Sequence, residues 1–275
     1  MPAQIRRMQL KICLVGDRQV GKTSLIQRYV FNTFSDSYSG TLGTKMHLLQ
    51  FVKEVAAEET VEADVALFDL MGEHGARDLF QDALFWGAHG FVAVCDATRS
   101  GTFEALIEWV NSVRSIAGEI PHRILVNKAD LLPKGAVPRE FQDRLGATFP
   151  GVPYSFVSAK TGSEVERAMG LLLEAVVNNV LAKSRARREG RIIGNRILTF
   201  AARRGATGVT KNELLATFKA IDYNVLMSEV ENLERTGLLV VEQIGPANFR
   251  AVLTPDGESA AKKLGLHSYI VDEVT

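Results

Sequence analysis

The octapeptide Gly16-Asp17-Arg18-Gln19-Val20-Gly21-Lys22-Thr23 separates a predicted strand, Leu10–Val15, from a helical pattern that opens at Lys22. This G-x-x-x-x-G-K-[ST] spacing, in a strand–loop–helix setting, constrains the fold more than any other feature of the chain. Two glycines let the loop turn its backbone N–H groups inward, and the helix N-terminus behind them adds a favourable dipole. The loop is therefore expected to close around phosphate. Lys22 supplies a point charge for β- and γ-phosphates, and the Thr23 hydroxyl suits Mg²⁺. Gly16, Asp17, Arg18, Gln19, Val20, Gly21, Lys22, Thr23 and the neighbouring Ser24 are the candidate phosphate-side residues.

The flanking sequence agrees with such a unit. Residues 9–180 alternate apolar runs with helical patterns, the signature of parallel βα units. Strands are expected near 9–15, 44–53, 63–69, 90–96, 122–127 and 153–157. Helices are expected near 22–31, 75–87, 102–116, 137–148 and 163–183. The fold class is α/β, with a mainly parallel six-stranded sheet. Ala182 to Arg191 then breaks the apolar rhythm with a cluster of basic residues, read as a boundary or a solvated helix extension.

Beyond it the pattern changes. Ile192, Ile193, Ile197, Leu198 and Ala201 form a helical stripe, and Thr210 with Glu213 looks like a capping box. A third helix spans about Tyr223 to Arg235. Two strand-like runs, Leu238–Gln243 and Phe249–Leu253, flank a turn at Gly245-Pro246-Ala247-Asn248, and Pro255 opens a last helix. The order helix, helix, helix, hairpin, helix resembles a winged-helix domain. The expected division is residues 8–183, a basic linker or helix extension at 184–190, and a winged-helix-like domain at 191–275.

Composition excludes several classes. A chain of 275 residues accommodates two ordinary domains, and 46% hydrophobic content gives it a core. A net charge of zero gives no overall bias toward nucleic acid or an acidic membrane. Cys13 and Cys95 both lie in apolar runs, which predicts buried strand thiols without disulfide or metal. No apolar stretch approaches membrane-spanning length, Pro2 stands where myristoylation needs glycine, and the sequence ends without a cysteine to prenylate. A cytoplasmic protein is expected.

The base is read from two later segments. Asn127-Lys128-Ala129-Asp130 follows the strand run Ile124-Leu125-Val126, at a C-terminal strand edge where α/β ligands bind. A carboxylate at Asp130 can accept both the N1–H and the N2 amino donors of guanine, a pattern adenine lacks. Lys128 would lie along one face of the base. Ser158-Ala159-Lys160 can add the Ala159 N–H to guanine O6. GTP or GDP with Mg²⁺ is the expected cofactor set.

With these segments the chain resembles the Ras superfamily of small GTPases, and the Rab branch in particular, over about residues 8–182. Phe34, Tyr38 and Thr41 fall where the family places its guanine-flanking phenylalanine, its switch I tyrosine and its Mg²⁺-binding threonine. Asp69-Leu70-Met71-Gly72 matches the D-x-x-G segment. Gly87-Ala88-His89-Gly90, Cys95-Asp96-Ala97-Thr98, and Trp109 after Phe103 are also similar to Rab sequences. The resemblance implies that Thr41 and Gly72 contact the γ-phosphate region and release on hydrolysis, and that Asp69 holds Mg²⁺ through water. The metal candidates are thus Thr23, Thr41 and Asp69.

Three residues depart from the family pattern. Glu73 stands where the family's water-orienting glutamine follows D-x-x-G; a carboxylate accepts a proton but brings negative charge toward the γ-phosphate, so it is a weaker or differently tuned base, or has no such role. His74 is an alternative base or a solvent-facing residue. Arg18 occupies a loop position that is usually small, so it is an arginine finger in cis, an obstacle to one supplied in trans, or a solvent-facing side chain. Leu70-Met71 replaces the usual Thr-Ala. Glu73, Lys22, Thr41 and Arg18 are the candidate catalytic residues. The C-terminal segment 191–275 carries ten Lys and Arg against ten Asp and Glu. Its third helix has Asp222, Glu229, Glu231 and Glu234 against Arg235 alone, a charge that repels a polyanionic groove. Protein effectors or regulators are the expected partners; DNA is the alternative that this acidity disfavours.

Overall fold

A computed structural model describes residues 4–34, 44–56, 59–70, 83–133 and 139–272 of the chain. The chain divides into two compact units, Met1–Val180 and Leu181–Thr275.

The first unit is a six-stranded sheet with helices. In chain order it contains β1 (Gln4–Val15), α1 (Lys22–Phe31), β2 (Lys45–Ala56), β3 (Glu59–Asp69), β4 (Gly90–Asp96), α2 (Gly101–Ala117), β5 (His122–Asn127), α3 (Arg139–Thr148) and β6 (Tyr154–Phe156). The order across the sheet is β2-β3-β1-β4-β5-β6. Only the β2–β3 pair is antiparallel; β1 runs parallel to both β3 and β4, and the remaining pairs are parallel. A parallel sheet buries both faces, so its middle strands must be apolar throughout. β4 obeys this with every residue buried. On β1, Cys13 and Val15 join a core with Phe91, Phe103, Leu106 and Trp109, while Leu10, Ile12 and Leu14 are buried through the alternate face. The two thiols are free, and burial pushes Cys13 to about 11 and Cys95 to about 12, which keeps both protonated.

The unit boundary falls within α4 (Val165–Arg204), which continues through 184–190. Residues 184–190 are helical throughout. Ala, Lys, Arg and Glu are good helix formers, so the loss of apolar rhythm there marks exposure and not a change of backbone. The expected helix at 75–87 lies mostly outside the described residues.

The second unit adds β7 (Val209–Thr210), α5 (Lys211–Thr217), α6 (Tyr223–Arg235), β8 (Leu239–Gly245), β9 (Asn248–Leu253) and α7 (Pro255–Asp272). Its small sheet is antiparallel, in the order β7-β9-β8. Thr210 and Glu213 close a reciprocal capping box on α5, and Asp222 caps α6 through the N–H groups of Asn224 and Val225. Ile197, Leu198, Ala201, Val209, Leu214, Phe218, Leu226 and Val230 are among the residues of its separate core. Ile192, placed in the apolar stripe by the sequence, is half exposed. Among the described residues no helix is long and apolar enough to cross a membrane.

Candidate functional site

The strand order reverses on either side of β1, and in such sheets ligands bind beyond the C-terminal strand ends at that point. Four loops meet there. β1 hands over to α1 through residues 16–21, and this turn uses backbone that few residues adopt: φ is 140° at Gly16, 59° at Gln19 and 95° at Gly21. A Cβ on Gly16 would run into the Val94 carbonyl oxygen, and one on Gly21 into the Asn127 side-chain amide. Both glycines are therefore demanded by close approach as well as by conformation.

Lys22, the first residue of α1, is 7% exposed. Its ammonium donates to the carbonyl oxygens of Gly16 and Asp17, each at 2.8 Å. Burial lowers its pKa to about 8, against the opposing pull of Asp69 and Asp17. A desolvated cation folded back onto the loop carbonyls gains most from an incoming anion. Thr23 lies beside it, and its hydroxyl donates to Asp69 Oδ2 at 2.5 Å. Asp69 ends β3, is fully buried, and leaves Oδ1 without a hydrogen-bond partner. A buried carboxylate with an open oxygen next to a hydroxyl fits a hard, oxygen-binding divalent cation. Thr23 and Asp69 would hold Mg²⁺, which when bound neutralises phosphate charge.

On the other side, Asn127 is 2% exposed and ties two loops together. Its amide donates to the Val20 carbonyl at 2.9 Å, and its Oδ1 accepts from the Ala159 N–H at 3.0 Å. Lys128 follows in the left-handed region with φ 65°. Ser158 Oγ donates to Asp130 Oδ1 at 2.6 Å and accepts from the Thr161 N–H at 3.0 Å, fixing the exposed Asp130 carboxylate beside the buried Ala159. The structure therefore brings together 16–24, Asp69, 127–130 and 158–160. Arg18, Gln19 and Lys160 are exposed at the rim, Asp17 and Ser24 are half-buried, and Phe34 lies half-buried just past α1. Tyr38, Thr41, Met71, Gly72, Glu73 and His74 lie outside the described residues.

Three further residues belong to the site. Arg28 on α1 donates to the carbonyl oxygens of Ala159 and Lys160 at 2.8 and 2.7 Å, anchoring that loop. Asp96, at the end of β4 and 1% exposed, takes Lys128 Nζ at 2.7 Å and Arg99 Nε at 3.0 Å on the same oxygen. Its other oxygen accepts from the Thr98 N–H and hydroxyl at 2.9 and 2.7 Å. Burial opposes ionisation of Asp96, but the hydrogen bonds from Lys128, Thr98 and Arg99 outweigh it and hold the carboxyl below its ordinary range. Arg99 also reaches the Arg18 carbonyl at 2.6 Å. One signal could have found Asp96: like Asp69 and Asn127, it is a polar residue that closes an apolar strand.

Residues 11–178, more than half of the chain, match the Ras family. The chain belongs to the Ras family. It is also 31% identical over 186 residues to the GTP-binding protein ypt1 of Schizosaccharomyces pombe, an alignment that covers 64% of this chain and 86% of ypt1. The Ras-family match ends at residue 178, so it contains every loop of the candidate site and leaves out the second unit.

Proposed function

We propose that this Ras-family chain is a GTP-binding molecular switch that hydrolyses GTP to GDP slowly with Mg²⁺. We also propose that residues 191–275 form a winged-helix domain used to recognise a protein partner. The observation that carries the first part is Asn127, whose single side chain links the phosphate-side loop at Val20 to the base-side loop at Ala159. In this reading the loop N–H groups and Lys22 bind the phosphates. Asp130, held by Ser158, accepts from guanine N1–H and the N2 amino group. The Ala159 segment lies toward O6, and Lys128 lies along the base. Thr41 and Gly72 contact the γ-phosphate end, and with Phe34 and Tyr38 they complete the nucleotide contacts.

Slow hydrolysis follows from Glu73. A carboxylate in the water-orienting place carries negative charge toward an anionic γ-phosphate, which weakens its help in the transition state. The same residue favours a second reading, a GTP-binding scaffold with little hydrolysis. GTP turnover by the purified protein, with Lys22→Ala as the control, separates them. Tight binding with no detectable turnover would remove the enzymatic half of the proposal. Glu73→Gln adds a direction: a faster variant means that position 73 orients water, and an unchanged one means that it does not.

The winged-helix reading is supported by the element order, in which a helix, a short strand and two helices precede an antiparallel hairpin and a last helix. Protein is favoured over DNA as the partner because α6, the helix that such a domain would present to a groove, carries Glu229, Glu231 and Glu234.

A further inference from the structure

On the last turns of α4 and the end of α5, the second unit has a cleft of about 290 Å³ lined by Asn195, Arg196, Thr199, Phe200, Arg203 and Phe218. Its floor is aromatic: the Phe200 and Phe218 rings meet edge to face at 6.1 Å. Its walls are cationic. Arg196 lies over the Phe218 ring at 5.1 Å, a stacking that holds the guanidinium in place without neutralising it. Among the described residues neither Arg196 nor Arg203 is paired with a carboxylate, whereas the next arginine, Arg204, is paired with Glu213 at 2.8 Å.

We infer that this cleft is the partner-binding surface of the second unit, and that its occupant is an acidic peptide segment presenting two carboxylates around one apolar side chain. The inference rests on the proposal that this unit recognises a protein. Arg196 and Arg203 stand seven residues apart on one helix face, roughly 10 Å along the axis. One carboxylate cannot span that distance, while two turns of a partner helix match it. The volume is at the low end of ligand pockets, which run from about 300 Å³ upward. It admits an apolar side chain against Phe200. The Arg196 guanidinium, preorganised on the Phe218 ring, binds a carboxylate with less loss of side-chain entropy than a free one.

The test uses the full chain and a fluorescein-labelled amphipathic peptide with glutamates spaced as Arg196 and Arg203 are, and leucine between them. The same peptide with lysines and a short DNA duplex serve as comparisons. The glutamate peptide is expected to bind, more weakly at high salt, and to lose about tenfold or more in affinity with Arg196→Glu and Arg203→Glu together. Arg196→Gln with Arg203→Gln, which removes both charges without reversing them, gives a smaller loss in the same direction. Arg187→Glu with Arg188→Glu, elsewhere on exposed α4, leaves binding unchanged. Binding insensitive to the cleft variants overturns the inference. So does duplex binding that depends on Arg196 and Arg203 where the glutamate peptide fails. If instead the lysine peptide binds and Glu231→Lys on α6 abolishes it, the cleft is wrong and partner recognition by the second unit stands. If no peptide binds, the cleft inference falls, and the proposal that the second unit recognises a protein stands apart from it.

Discussion

Removing the Arg99 side chain is expected to accelerate nucleotide release without unfolding the protein. Arg99 joins the phosphate-side loop to the base-side loop through two bonds, 2.6 Å to the Arg18 carbonyl and 3.0 Å to the buried Asp96, which also grips Lys128. A hydrogen bond to a charged group contributes about 1.5–3 kcal/mol. Arg99 is 41% exposed, and Lys128 stays on Asp96 to satisfy the carboxylate, so solvent screening brings the expected loss down to about 1–2 kcal/mol. At about 1.4 kcal/mol per tenfold, that is a release rate roughly 5–30 times faster for Arg99→Ala. The assay loads the protein with a fluorescent GDP analogue and follows its loss after a chase with unlabelled GDP. Arg99→Lys keeps the charge near Asp96 but loses the fork that also reaches Arg18, so it should fall between wild type and alanine. Arg7→Ala, which breaks the exposed pair with Glu62, should leave the rate unchanged. Because the Asp96 carboxyl is held below its ordinary range, the clamp contributes above about pH 4 and is lost only as acid protonates it. An unchanged release rate in Arg99→Ala, or a melting temperature that falls while release does not move, would refute the coupling.

Two further outcomes follow from the same geometry. Lys22 has its pKa lowered to about 8 by burial, so the nucleotide-free protein loses that proton above pH 8, and a bound phosphate requires it back. GTP affinity should therefore be flat below about pH 8 and fall by up to about tenfold per pH unit above it, with proton uptake on binding seen by calorimetry in buffers of different ionisation heat; affinity that is level to pH 10 would contradict the burial argument. Asn127→Ala removes the acceptor of the buried Ala159 N–H and the donor to Val20, a loss of about 2–3 kcal/mol, which should lower the melting temperature of the nucleotide-free chain by roughly 5–10 °C in a circular dichroism scan.

What was legible in the sequence depended on whether a residue's constraint was local. The buried strands read cleanly because both faces of β4 and β5 are covered, so apolar runs coincide with the elements. β1 starts at Gln4 and β3 at Glu59, several residues earlier than their apolar runs suggest. There the two strands pair in register (Arg7 opposite Glu62), with alternating exposed side chains that carry no continuous apolar signal. The same limit hid β7, whose two residues are a strand only because β9 lies alongside. The loop glycines were legible for the opposite reason, since a positive φ and a missing Cβ are properties of the residue itself.

Asp96 shows where local reading stops and topology takes over. In sequence it is one more polar residue after an apolar run, as Asp69 and Asn127 are. Its importance comes from the sheet order, which sets β4 between β1 and β5 and aligns Asp96 with Asn127. The β1 end carries loop 16–21 and the β5 end carries loop 127–130. A residue at the end of the strand between them lies within reach of both, and an anion there can hold cations that bridge to each. Lys128 is the cation from the β5 side, and Arg99, three residues past Asp96, reaches the β1 side through the Arg18 carbonyl. Once six strands are placed in the order β2-β3-β1-β4-β5-β6, the end of β4 becomes a position where a polar residue couples the two halves of the pocket. The sequence supplies the carboxylate, and the fold makes it a clamp.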